Sequence, residues 1–512
     1  MMNRALAGAA LAAALLTAPP AAAAPRVTIA SGTLAGTADR GVEIFKGIPY
    51  AAPPVGTLRW APPAPPAAWK GVRDASHFGA ACPQPSRPDN KPAAGADLPH
   101  SEDCLFLNVW APESARRAPV MVWIHGGAFR VGSGASPIYD GDAFAKDGVV
   151  FVSINYRLGA LGFFAHPALT RAAGPDAPLG NYGLMDQIAA LRWVHRNIAR
   201  FGGDPANVTI FGESAGGESV LFLMTTPAAR GLFGKAIVES GGGWKKSKTL
   251  AQAEAAGDAL ASRAGLPGAK ATLAQLRALP ASETLDAPLT LGGVGPFEDG
   301  RLVKETPAQA FADGGAAPVP LIIGSNSFEA SLMRTFRIPP QRIANLANDA
   351  VRRAYGEAAK DEAAFGEALF TDAVMGAPAS WVAAEQSRRA PAYVYEFAYV
   401  PQALRAGSPG VRHGGEIPFV FDTLKPILAR TGDTPTAEDR RMERIVHACW
   451  VAFAKIGTPK CPRVSWPRYD SARGDVLVFG PGASVVEHFR QARYQAIDQM
   501  LAPRRGAEPP IH

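Results

Sequence analysis

The stretch VTIFGESAGGESVLFLM, Val208–Met224, sets a strand-like apolar run against a helix-like one, with Ser214 between two glycines. A G-x-S-x-G match carries little weight alone, because glycine and serine are ordinary turn residues. Its context carries more: VTIF before and GESVLFLM after supply the strand, sharp turn and helix that a nucleophile elbow requires. Such a turn holds the serine in a strained backbone conformation, so the residues two positions away must lack bulk. Gly212 and Gly216 meet that demand. The match occurs once in the chain.

Working outward, apolar strand-like runs alternate with helical patterns. APVMVWIHGG and GVVFVSINYRLG precede the amphipathic LMDQIAALRWVHRNIARFG, and KAIVESGG, VPLIIGSN and AYVYEFAYV follow the elbow. Buried strands separated by helices predict a mainly parallel α/β sheet, flanked by helices, with the active site at the carboxyl ends of its strands. Neither a fixed-period repeat nor a proline- or glycine-rich linker divides the chain, so residues 25–512 read as one domain. Ala-rich helical segments around 248–284 and 339–388 read as insertions packed over the strand ends.

A serine nucleophile needs a base, and in the hydrolase order the acid and then the histidine follow the serine. Four histidines follow Ser214. His447 falls inside the helical pattern RMERIVHACWVAFAKIG, His488 in a second helical pattern, and His512 at the chain end. His413, in SPGVRHGGEIPF, follows an apolar strand and is flanked by glycine, so it is the predicted base. Glu329, just after the buried run VPLIIGSN, is the predicted acid. Asp299 and Asp313 compete, but no strand leads to either. VMVWIHGGAFRVGSG runs from an apolar strand into a glycine-rich turn, which frees backbone N–H groups for an oxyanion. Gly127 and Ala128 are the predicted donors, joined by Ala215.

The chain has 512 residues, 47% of them hydrophobic, ample for a large core. Residues 1–24 combine Arg4, an apolar run through Leu16, Pro19 and Pro20, and small residues. That pattern predicts a secretory signal cut near Ala23 or Ala24, hence an exported protein, periplasmic or secreted. The remaining sequence offers no apolar run long enough to span a membrane. The net charge of +7 is scattered among acids, with no basic stripe for nucleic acid. Cys82 and Cys104 bracket a polar, proline-rich segment that a disulfide would close into a loop. Cys449 and Cys461 leave two readings open, a second bridge or a core thiol.

Together the segments FKGIPYAAPPVGTLRWAPP, SEDCLFLNVWAP, WIHGGAF, INYRLGALGF, GNYGLMDQIAALRWVHRNIARFGGDPANVTIFGESAGG, LFGKAIVESGG, GSNSFEAS, RHGGEIPFVF and WVAFAKIGTP resemble the type-B carboxylesterase and cholinesterase family of the α/β-hydrolase fold. The resemblance implies a Ser214, Glu329 and His413 triad, a Cys82 to Cys104 disulfide, and Gly126, Glu213 and Ser240 as supporting positions. It implies a two-step hydrolysis of small-molecule esters through an acyl-enzyme. That chemistry needs neither metal nor organic cofactor, and no H-E-x-x-H cluster is present. Hydrolysis of bulky or polymeric esters or of amides uses the same triad, and a non-catalytic binding protein on this fold is the alternative of another class. The segment between Cys82 and Cys104 contains no aromatic residue, so the cholinesterase tryptophan that holds a quaternary ammonium is missing there. Asn207, in a glycosylation sequon, reads as a structural residue leading into the elbow strand, and Arg130 reads as facing solvent, the alternative being a place at the pocket mouth suited to an acidic substrate.

Overall fold

A computed structural model describes residues 24–85, 98–244, 247–285 and 293–501. The signal expectation for residues 1–24 falls outside these, apart from Ala24. Eleven strands form the main sheet: β1 Thr37–Asp39, β2 Val42–Pro49, β3 Phe106–Pro112, β4 Ala118–Ile124, β5 Val150–Ile154, β6 Gly203–Glu213, β7 Lys235–Glu239, β8 Leu321–Asn326, β9 Ala392–Phe397, β10 Val476–Phe479 and β11 Ala483–Val486. Their order across the sheet is β11-β10-β9-β8-β7-β6-β4-β5-β3-β2-β1. The run from β10 to β5 is parallel throughout; antiparallel pairs lie at its two edges. The expected mainly parallel sheet is therefore present. The antiparallel N-terminal edge has no counterpart in the sequence reading: β1 is three exposed residues, and β2 mixes buried with half-buried positions instead of forming an apolar run.

The central strands are apolar without interruption because both of their faces are covered. Alternation along β4 divides the core: Val120, Val122 and Ile124 join one apolar cluster, and Met121 and Trp123 join another. On the first side Leu184, Leu191 and Val194 of α1 (Tyr182–Asn197) and Val220 and Leu223 of α2 (Ala215–Thr225) meet the sheet. On the second, Trp450 and Phe453 of α3 (Ala437–Ile456) pack with Phe144, Phe211 and Phe421. Thr436 starts α3 with a capping box to Asp439, and Gly457, at φ 72°, ends it in a left-handed turn.

Register brings the site together. Ile124 pairs with Gly212, Glu213 with Glu239, and Glu239 with Gly324, so β4, β6, β7 and β8 end at one level. His125 to Ala128, Ser214, Ser240 and Glu329 all leave the sheet at or just beyond that level.

Disulfides join Cys82 to Cys104 and Cys449 to Cys461, the second deciding between the two readings of that pair. The Asn207 side chain donates to Lys455 O and receives the Lys235 ammonium, in line with a structural role. Among the described residues, no helix is long and apolar enough to cross a membrane.

Candidate active site

Ser214 sits between β6 and α2 at φ 58° and ψ −124°, a region that costs a non-glycine residue about 1–3 kcal/mol. Its N–H donates to Glu239 O at 2.8 Å, and its carbonyl receives Glu218 N at 2.8 Å, so both sides of the turn are held. A Cβ on Gly216 would lie 2.0 Å from Ile124 O, and one on Gly212 2.5 Å from the same oxygen. The two glycines are thus required by the approach of β4 as much as by the turn itself.

Glu329 follows β8 and is fully buried. Its Oε1 receives the Ser240 hydroxyl at 2.5 Å and Asn326 N at 2.8 Å, and its Oε2 lies 2.6 Å from His413 Nδ1. The His413 loop is fastened to the Glu329 loop by Phe328 N to Val411 O at 2.9 Å and His413 N to Ser331 Oγ at 3.0 Å. The other ring nitrogen, Nε2, has no hydrogen-bond partner, although Glu213 Oε1 is 3.1 Å away.

Three more buried carboxyls surround this pair. Glu213 precedes Ser214, Glu239 ends β7 and receives Trp450 Nε1 at 2.8 Å, and Glu416 receives the Asn326 amide. Loss of solvation raises Glu213 to about 7 and Glu416 to about 8, and holds Glu239 well above the usual carboxylate range. Burial pulls His413 down, but the negative charges of Glu213, Glu329 and Glu416 outweigh it and raise the imidazole to about 10. The sequence reading assigned no role to Glu239 or Glu416. Both stand inside quoted motifs, VESGG and HGGEI, yet a glutamate at a strand end or in a glycine loop looks like a solvated charge until its neighbours are known.

The turn after β4 holds Gly127 at φ 107°, Ala128 at 55° and Phe129 at 58°. Among the described residues, the N–H groups of Gly127, Ala128 and Ala215 meet no backbone carbonyl. A Cβ on Gly126 would be 3.1 Å from Ser214 Cβ and 2.9 Å from Glu213 Oε2, so glycine lets this turn close onto the elbow. His125 stacks on Tyr156 at 4.5 Å between centroids, and burial lowers it to about 4, leaving it neutral.

Arg130 corrects an expectation: it is 8% exposed, not solvent-facing, and helps line a cavity of about 260 Å³ with Phe163, Phe164, Leu260 and Phe297. Its backbone turns back through Arg130 N to Gly127 O at 3.0 Å, and its guanidinium donates to Leu285 O at 3.4 Å. The rejected candidates lie elsewhere. His447 is buried on α3 with Nδ1 2.7 Å from Val420 O, and Asp299 receives the N–H groups of Leu179, Arg301 and Val303. Asp313 ends the helix Pro307–Ala312. His488 lies in a turn at φ 52° rather than in a helix, held by His488 N to Arg473 O at 3.0 Å and Phe489 N to Gly474 O at 3.1 Å.

A family model described as the carboxylesterase family matches residues 23–497. Fumonisin B1 esterase of Sphingopyxis macrogoltabida is 39% identical over 464 residues, covering 86% of this chain and 83% of that protein. Para-nitrobenzyl esterase of Bacillus subtilis (strain 168) is 38% identical over 473 residues, covering 88% and 94%. Among solved structures, a PNB esterase superposes with a TM-score of 0.81 at 34% identity, covering 92% of this chain and 99% of that one. A Geobacillus stearothermophilus carboxylesterase gives 0.80 at 36%, covering 92% and 100%.

Proposed function

Because the chain belongs to the carboxylesterase family, of α/β-hydrolase fold, and is thus a carboxylic ester hydrolase, we propose that it works through an acyl-enzyme on Ser214, with His413 as base and Glu329 as the acid that orients it. The observation that carries this reading is the 2.6 Å contact between Glu329 Oε2 and His413 Nδ1, which leaves Nε2 without a hydrogen bond of its own. Nε2 is then available to the Ser214 hydroxyl, a contact that commonly tightens only when substrate is bound.

In the first step His413 takes the Ser214 proton as Oγ attacks the ester carbonyl. The oxyanion rests against the N–H groups of Gly127, Ala128 and Ala215. The imidazolium formed is stabilised by the carboxylates around it, and it passes its proton to the departing alcohol. Water then repeats the sequence on the acyl-enzyme and releases the acid. This chemistry draws on no metal or organic cofactor. The relatives' names cover chemically different esters, so the family does not specify the acyl or alcohol group. The apolar leader over residues 1–24 and two disulfides support an exported protein with one domain from residue 25 onward.

Ser214→Ala tests the reading. Turnover of a short p-nitrophenyl ester should fall by several orders of magnitude with the melting temperature preserved, and an organophosphate should label the wild-type peptide carrying Ser214 but not the variant. A variant that keeps near-native turnover overturns the assignment, and a wild-type protein inert to both reagents revives the binding-protein alternative.

A further inference from the structure

We propose that Gln84, acting with Asn155, is a positioning residue for the oxyanion turn, and that it holds the turn by tying it to the Cys82–Cys104 bridge. The proposal rests on the reading of Gly127 and Ala128 as oxyanion donors.

That turn needs an outside hold. Gly127, Ala128, Phe129 and Gly132 all have positive φ, two of them without being glycine. Within the turn, Gly127 O receives Arg130 N at 3.0 Å and Val131 N at 3.1 Å, and Ser133 receives Ala135 N on Oγ at 3.1 Å and Ser136 N on its carbonyl at 3.3 Å, which leaves Gly132 to outside partners. The second half is held by two buried amides and by the Ser153 hydroxyl, which donates to Gly134 O at 2.7 Å. Gln84 donates Nε2 to Gly132 O at 3.0 Å and receives Gly132 N on Oε1 at 2.9 Å, as a paired strand would. The same Nε2 reaches back to Cys82 O at 3.1 Å. Asn155 receives Gly134 N at 2.9 Å and the Ser133 hydroxyl at 3.1 Å, and its Nδ2 donates to Ala80 O and Cys104 O, both at 3.1 Å.

Each amide therefore has one hand on the turn and the other on the disulfide segment. Gln84 is 3% exposed and Asn155 4%, so any slip of the turn would strand polar groups away from water. Gly132 carries the restraint forward. A Cβ there would meet His125 Nδ1 at 2.3 Å and Gly126 O at 2.7 Å, so the held end of the turn is pressed against the residues just before the donors. Oxyanion donors act only if they are already aimed at the charge before it develops. Loosening them slows the chemical step and leaves ground-state binding alone.

The test uses Gln84→Met, which keeps length and loses all three hydrogen bonds, two of them to Gly132, and Gln84→Asn, which keeps the amide but falls short of Gly132. Rates are counted per active site by burst titration of the full-length enzyme, so misfolded protein does not enter. Both variants should lose roughly tenfold to a hundredfold in kcat on a p-nitrophenyl ester with KM within about threefold. The Ki of a trifluoromethyl ketone, which forms the oxyanion adduct, should rise by the same factor as kcat/KM falls. Wild-type kcat and Ki in both variants overturn the proposal, as does a rise in KM alone. Near-native turnover by Ser214→Ala would instead overturn the acyl-enzyme reading beneath it, so the two failures are distinguishable.

Discussion

The Ser240 hydroxyl lies 2.5 Å from Glu329 Oε1, at the end of the strand beside the elbow strand and directly behind the carboxylate that meets His413. Ser240 is itself at φ 47°, with its N–H on Gly324 O at 2.9 Å, so the fold holds a non-glycine residue in a strained conformation to aim this hydroxyl. Glu329 would otherwise keep only the Asn326 N–H on that oxygen.

Ser240→Ala should consequently loosen Glu329, the proposed acid that orients His413. A hydrogen bond to a charged group is worth about 1.5–3 kcal/mol, so kcat should drop about tenfold to a hundredfold with KM little changed. Steady-state kinetics beside a thermal melt separate this from unfolding. An unchanged kcat in a folded variant would show that Glu329 is positioned without Ser240.

Glu213→Gln bears on pH dependence. With His413 as the proposed base, which must be neutral to act, activity is lost as pH falls through its pKa. Glu213 is the carboxylate that raises His413 most, and removing its charge lowers that pKa. The acid limb of kcat/KM should therefore move to lower pH in the variant. Profiles of both proteins from about pH 5 to 11 check the sign, and a limb that stays put or moves up rules out Glu213 as the source of the shift.

Glu416→Gln bears on stability. Glu416 titrates at about 8 in the fold against 4.5 ordinarily, so the folded state keeps a proton that the unfolded chain has released between those values. Stability must then fall as pH rises through that window. Glutamine is neutral at every pH and can still receive the Asn326 amide, so the variant should melt higher than wild type at pH 8, with a smaller difference at pH 4.5. Parallel melting curves across that range that never diverge would mean Glu416 is not held protonated.

The elbow, the glycine-rich turn after β4 and the central strands were legible in the sequence because their causes are local. A strained serine needs glycine two residues to either side, and a strand covered on both faces must be apolar along its whole length. Glu329 and His413 were legible more weakly, from chain order and from following strand-like runs. Arg130, Glu239 and Glu416 were misjudged or passed over, since a charge beside a turn or strand end looks the same whether it meets water or the core.

Sequence alone determined the alternating α/β architecture, the one serine that a tight strand-to-helix turn could present, and the carboxylesterase resemblance. Tertiary structure decided what distant segments do to one another: the pairing of Cys449 with Cys461, the clustering of three buried glutamates around one imidazole, and the two amides that join a disulfide to the turn after β4. The division has a physical reason. Backbone conformation answers to the nearest residues, whereas burial, and with it the protonation and strength of a polar group, is set by whatever the sheet register brings alongside.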